Sequence, residues 1–205
     1  MLKSSSPDIV EITEIVADIL RDQRRASEVI RRLRSLLKRS PFELKDIDLN
    51  EVVRETEKFV SSLSAISVAR QVNLITSLTP EPLPISGDHI QLQQVILNLI
   101  VNAIDVMSDA QSAEPKITVR TTRIAGFAEV TVSDADPGIP PDKLKTVFQP
   151  FFTTKAEGMG IGLSIARTIV EAHNGQIVAE NQADGGAVFR IKLPLEKMHD
   201  DLRTG

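Results

Sequence analysis

The stretch from Gln149 to Asn174, QPFFTTKAEGMGIGLSIARTIVEAHN, constrains the fold of this chain most. Two phenylalanines and a Thr-Thr-Lys lead to three alternating glycines, Gly158, Gly160 and Gly162. An amphipathic pattern follows directly, in which Ile165, Ile169 and Ala172 share one helical face. Glycines let a backbone approach a ligand and take positive φ, and the unpaired amides of a helix start attract negative charge. The stretch therefore predicts a phosphate-binding loop feeding a helix; a Gly-rich turn ahead of an ordinary surface helix is the alternative. Two familiar phosphate loops are excluded. Leu163 stands where a dinucleotide fingerprint requires its third glycine, and Gly-Lys-Ser/Thr occurs nowhere.

Composition narrows the possible chemistry. The 205 residues contain no Cys, which removes disulfides, thiol catalysis and Cys-ligated zinc. Seven Phe with no Trp or Tyr leave an aliphatic core and argue against base-stacking platforms. A formal net charge of −4 and the lack of a helix-turn-helix pattern argue against a nucleic-acid partner. No run is expected to supply the ~20 apolar residues of a membrane span, and the start does not read as a signal peptide. A cytoplasmic protein is the expectation.

In chain order, Asp8 and Glu11 form a capping-box pair ahead of apolar residues recurring at helical steps from Ile9 to Leu37, until Ser40-Pro41 ends the pattern. This predicts one helix of roughly thirty residues with a bundle or coiled-coil partner. Its second half is basic, read either as a solvated face or as a docking surface for an acidic partner. A linker from Pro41 to Asp48 leads to a second helix from Asn50 to about Val68. A candidate strand, Val72 to Ser77, and a proline-punctuated loop, Thr79 to Gly87, follow. Asp88 caps a third helix, in which Ile90, Val95, Leu99, Val101 and Met107 are expected mostly in the core. Asn98 and Asn102 interrupt that apolar stretch four residues apart, with Asp105 three further on. An unsatisfied buried amide costs on the order of 1 to 3 kcal/mol, so these side chains need structural hydrogen bonds, a polar ligand or a metal such as Mg²⁺.

Lys116 to Arg123 and Ala128 to Ser133 alternate around Ala125-Gly126 as a hairpin, and the second strand runs into Asp134, a strand-end carboxylate placed either to accept from a ligand amine or to close a polar turn. Gln176 to Asn181 and Val188 to Leu193 complete the strands, and the tail from Leu195 onward is expected to fray.

The order N-x-x-x-N, D-x-x-x-G-I, F-x-P-F-F-T-T-K and G-x-G-x-G-L resembles the catalytic and ATP-binding domain of sensor histidine kinases, within the superfamily that includes gyrase B, Hsp90 and MutL. The likeness covers about residues 42 to 195. It implies an α+β fold, an α/β sandwich whose mixed sheet of about five strands is covered on one face by helices, plus the long N-terminal helix. It divides the chain into that helix, residues 1–41, and an ATP-binding catalytic domain, 42–205. It assigns Asn102 to Mg²⁺, Asn98 to the metal and phosphate side, and Asp105 to the pocket. Asp134 would accept the adenine amine, with Gly138 and Ile139 close to the base and Phe148, Phe151 and Phe152 holding a lid. Thr154, Lys155, Gly158, Gly160, Gly162 and Leu163 would border the nucleotide.

The ATP-hydrolysing relatives carry glutamate where Asn98 stands, so the resemblance points to phosphoryl transfer to another residue rather than to water. The implied ligands are ATP and Mg²⁺, and the implied partners are a histidine-bearing helix and a response regulator. The basic helix is similar to the second helix of the dimerisation and phosphotransfer hairpin, with a homodimer implied through it. The acceptor histidine of that hairpin belongs to a preceding helix, and His89, His173 and His199 all lie after the basic one. The acceptor is expected outside this sequence, whether the chain is a piece of a longer protein or a kinase relative without one. Asp136 stands where the adenine motif usually has glycine, and Gly185-Gly186-Ala187-Val188-Phe189 lacks the usual Thr or Ser. The alternative expectation is a non-catalytic docking module of the same fold that binds nucleotide weakly or not at all.

Overall fold

Alternating apolar residues build the centre of the molecule. In the computed structural model, which describes residues 42–62, 72–109, 115–135, 138–153, 160–183 and 185–196, Lys116–Ile124 (β4) and Phe127–Asp134 (β5) form an antiparallel hairpin. Ile117, Val119, Val130 and Val132 turn to one face and are buried, as a strand's period of two requires. Ala187–Pro194 (β7) pairs antiparallel with β5, and Gln176–Asn181 (β6) pairs antiparallel with β7. Asn73–Ser77 (β2) joins the other edge parallel to β4, so the mixed five-stranded sheet has the order β2-β4-β5-β7-β6.

Helices cover the apolar face. Leu49–Ser62 (α1), His89–Asp109 (α2) and Gly162–Ala172 (α3) contribute Val52, Val53, Leu99, Ile100, Ala166 and Val170 to one continuous core with the strands. Each large aliphatic side chain so buried contributes about 1.5 to 3 kcal/mol. Asp88 caps α2, its Oδ1 accepting from the N–H groups of Ile90 and Gln91 at 3.1 Å each. The expected α+β sandwich is therefore the observed architecture.

Four local expectations differ. The linker and the proline-punctuated loop each contain a four-residue strand, Lys45–Asp48 (β1) and Pro84–Gly87 (β3), which pair antiparallel as a separate two-stranded sheet. Strands this short lack a readable alternation, and Pro84 sits at a strand start where its missing N–H is tolerated. Ile90 is 71% exposed while Leu92, two residues on, is buried, because the helical phase sets Ile90 and the half-buried Val101 together on the outer flank of α2. Ala172 is exposed at the end of α3, whereas Ile165 and Ile169 are buried. Finally, His89–Met107 is long and apolar enough to cross a membrane by length and composition, contrary to expectation; here it is the core helix of the sandwich. The basic N-terminal helix, the end of the second helix beyond Ser62, and Asp136, Thr154, Lys155 and Gly158 lie outside the described residues.

Buried polar groups fix the elements. Asn50 donates to the carbonyls of Thr79 and Glu81, at 3.2 and 2.9 Å, and accepts from the Thr121 hydroxyl at 2.6 Å. His173 links two helix ends. Its Nε2 accepts from the Asp88 N–H at 2.9 Å, ahead of α2, while Nδ1 lies 2.7 Å from the Ile169 carbonyl in α3.

Candidate functional site

Asp134 ends β5 on the helix-covered face, directly opposite Ile117. Its carboxylate is buried, with Oδ1 accepting from the Ala187 N–H at 3.0 Å. A buried carboxylate needs donors, and a backbone amide meets part of that demand while fixing the orientation of the group. The Asp134 carbonyl accepts from Gln182 Nε2 at 2.9 Å. Gly186, at φ 90°, packs so closely on that carbonyl that no Cβ fits between them.

The chain returns from Asp134 through Gly138 and Ile139. Gly138 has φ 86°, a conformation that disfavours L side chains, and an added Cβ would come within 2.8 Å of Asn181 Oδ1. Asn181 spans the peptide groups of Ile139, with Oδ1 accepting from its N–H at 2.8 Å and Nδ2 donating to its carbonyl at 2.7 Å. Neither Asn181 nor Gln182 was foreseen as part of the site. A polar pair at a strand end reads as a turn in sequence, and the only signal was its position ahead of Gly185-Gly186.

On α2, Asn98 and Asn102 lie one turn apart, both half-buried, and Asp105 continues the row. Asn98 Nδ2 lies 3.5 Å from the Gly162 carbonyl, which brings this polar row to the first residue of α3. That helix start has no side-chain cap, since Ile161 occupies the N-cap position. The first amides of a helix have no intrahelical partner, so an uncapped start favours anions. Leu163 is half-buried one residue further on and packs on the core.

The phenylalanine motif meets the glycine motif here. Gly160, at φ 64°, lies against the backbone of Phe151 and Phe152 with no room for a Cβ. Phe148 is buried and meets Phe189 edge-on, with ring centroids 6.2 Å apart. Phe152 packs on the core, whereas Phe151 has φ 66° and is 77% exposed. Ile139 is half-buried against the core. The described site residues thus fall into two groups, one around Asp134, Gly138 and Ile139 and one where α2 meets the start of α3.

Among the described residues no group of three or more His, Cys, Asp or Glu is placed to hold a metal ion. A cation here would depend on amide oxygens, water and the ligand's own oxygens, which is a donor set suited to Mg²⁺.

Helices on a single face of a mixed sheet, with polar residues gathered where the core helix meets a glycine-started helix, define the class of fold as an α/β sandwich. The chain belongs to the histidine kinase-, DNA gyrase B- and HSP90-like ATPases, whose family model matches residues 87–197, more than half of it. It is 39% identical over 192 residues to the sensor histidine kinase TmoS of Ectopseudomonas mendocina, covering 92% of this chain and 19% of that protein. It is 37% identical over 193 residues to the sensor protein FixL of Bradyrhizobium diazoefficiens, covering 93% and 37%. The chain thus spans less than half the length of these relatives. Among solved structures it is similar to the nucleotide-free catalytic domain of histidine kinase ThkA, at 31% identity and a TM-score of 0.65 over 75% of this chain and 96% of that one. It is also similar to ThkA in complex with the response regulator protein TrrA, at 26% identity and a TM-score of 0.73 over 95% and 54%.

Proposed function

We propose that this chain binds ATP with Mg²⁺ and is the catalytic domain of a sensor histidine kinase, transferring the γ-phosphoryl group to a histidine supplied outside this sequence. The observation that carries the reading is the Asn98–Gly162 contact, which sets the amide row of α2 beside the uncapped start of α3. Asp134 accepts the adenine exocyclic amine through its carboxylate, and its burial strengthens that bond. Gly138 and Ile139 pass close to the base. Phe148 and Phe152 hold the near side of the lid, and Phe151, Thr154 and Lys155 belong to the lid itself. Gly158, Gly160, Gly162 and Leu163 border the phosphates.

The Asn102 amide oxygen would hold Mg²⁺, with Asn98 beside it and Asp105 at the pocket's margin. When bound, the ion neutralises charge on the triphosphate. In the transfer a ring nitrogen of the acceptor histidine attacks the γ-phosphorus. The bond to the β–γ bridging oxygen breaks, ADP leaves with its electron pair, and the imidazole loses its N–H proton. Asn98 favours this outcome over hydrolysis, because an amide cannot take the proton of an attacking water. Residues 1–41 form the second helix of a phosphotransfer hairpin and pair with a second copy, residues 42–205 form the catalytic domain, and the whole acts in the cytoplasm on a response regulator.

The reading is tested by supplying a histidine-bearing helical hairpin from a relative in trans with γ-labelled ATP and Mg²⁺. Acid-labile, base-stable label on the hairpin is expected. A hairpin that its own kinase domain labels and this chain does not would contradict the proposal.

A further inference from the structure

We infer that Asn181 is a positioning residue for the purine: it holds the loop under the base, and its loss weakens binding of the base while sparing the phosphate end. The inference rests on the ATP reading above and adds a residue to it.

The geometry is that of a clamp made entirely by the β6–β7 corner. At the start of the loop, Ala187 and Gln182 hold the carboxylate and the carbonyl of Asp134, at 3.0 and 2.9 Å. At its far end, Asn181 bonds both peptide groups of Ile139, at 2.8 and 2.7 Å. The two ends lie five positions apart, and the Asn181 bonds reach 42 positions along the chain. Gly138 fits between them only because it has no Cβ, since one would lie 2.8 Å from Asn181 Oδ1.

This use of Asn181 is not required by the fold itself. Its side chain is exposed at the end of β6 and, among the described residues, is no part of the hydrophobic core. A loop without such bonds would satisfy its amides with water and sample several conformations. Asparagine is suited to the task because one short planar group both accepts and donates, matching the N–H and C=O of a single residue. Aspartate has the same size but cannot donate, and would set a carboxylate oxygen against the Ile139 carbonyl.

The test uses the full chain and three variants, Asn181→Ala, Asn181→Asp and Arg167→Ala, the last altering an exposed ion pair elsewhere on α3. Calorimetry with Mg²⁺ compares a non-hydrolysable ATP analogue with inorganic tripolyphosphate, and thermal unfolding is recorded in parallel. Both Asn181 variants should bind the ATP analogue on the order of tenfold more weakly, Asn181→Ala through two lost bonds and Asn181→Asp through one lost bond and the repulsion between its carboxylate and the Ile139 carbonyl. Tripolyphosphate affinity and the unfolding midpoint should match Arg167→Ala and the parent chain. Unchanged ATP affinity, or an equal loss for both ligands, would overturn the role of Asn181 alone. A parent chain that binds tripolyphosphate but gains nothing from the adenosine moiety, or binds neither, would overturn the ATP reading and this inference with it. Amide hydrogen exchange at Ile139 gives a ligand-free check. Protection in the parent chain and its loss in Asn181→Ala are expected, and an Ile139 amide that exchanges freely in the parent overturns the clamp.

Discussion

Asp134 and Ala187 are joined across 53 positions by a 3.0 Å bond from the Ala187 N–H to the Asp134 carboxylate, so the end of β5 is oriented by the start of β7 before any ligand arrives. Asp134→Asn keeps an oxygen for the Ala187 amide and turns the other carboxylate oxygen into an NH₂ donor. The variant should unfold near the parent midpoint yet lose at least about tenfold in affinity for an ATP analogue. The corresponding 6-oxopurine nucleotide should lose less, because its carbonyl accepts where the adenine amine donates. Competition binding of the two nucleotides measures this.

The His173 imidazole is 3% exposed and ties the α2 cap to the end of α3, the two helices that carry the polar row. Its contacts define one neutral tautomer, with Nδ1 donating and Nε2 accepting. His173→Ala leaves the Asp88 N–H buried without this acceptor and should cost about 1 to 3 kcal/mol in denaturant unfolding. The ¹⁵N shift of Nε2 should report an unprotonated nitrogen.

Glu129 is buried although it points to the sheet face without helices. Its Oε1 lies 2.6 Å from Arg190 Nη1, and Lys192 approaches Oε2 at 3.9 Å. The hydrogen bond to Glu129 pushes the Arg190 guanidinium further up from its ordinary range. Removing one partner strands the other charge. Arg190→Ala should destabilise by about 2 kcal/mol, less than a fully enclosed pair because Lys192 remains and Arg190 is partly exposed. Replacing both Glu129 and Arg190 by methionine should recover most of that loss. Neither change should alter nucleotide affinity, since this face is opposite the site.

The β4–β5 hairpin closes through Ala125 and Gly126, at φ 45° and 84°, the positive angles of a type I′ turn. Ala125 takes a conformation that asparagine tolerates better. Ala125→Asn should raise stability by about 0.5 to 1 kcal/mol, read as a higher thermal midpoint, with no effect on ligand binding.

These relationships differ in how far the sequence discloses them. The hairpin was legible because nine and eight residues alternate around a two-residue turn. The helix α3 was legible because glycines precede a 3.6-residue period. The pair β1 and β3 was not, since four residues with a proline carry neither signal. Ile90 shows a different limit, as an apolar residue in a mostly apolar helix reads as core even where its phase, set against the buried Leu92 and Val95, puts it on the outer flank. Among the site residues, Asn98, Asp134 and Gly138 stand out locally as polar groups or glycines at odds with their surroundings. Asn181, Gln182 and Ala187 act through partners about 40 to 50 positions away, two of them on backbone groups, and a side chain's bond to remote backbone leaves no pattern at either end.

The central claim, an ATP site assembled from Asp134 and the α2 amides, is tested most directly by titrating the chain with a non-hydrolysable ATP analogue with and without Mg²⁺. Asn102→Ala and Asp134→Ala are measured beside it. Saturable binding that strengthens with Mg²⁺, loses that dependence in Asn102→Ala and weakens in Asp134→Ala with or without the ion is the predicted result. No binding at millimolar nucleotide, or binding indifferent to both substitutions in folded protein, would contradict it.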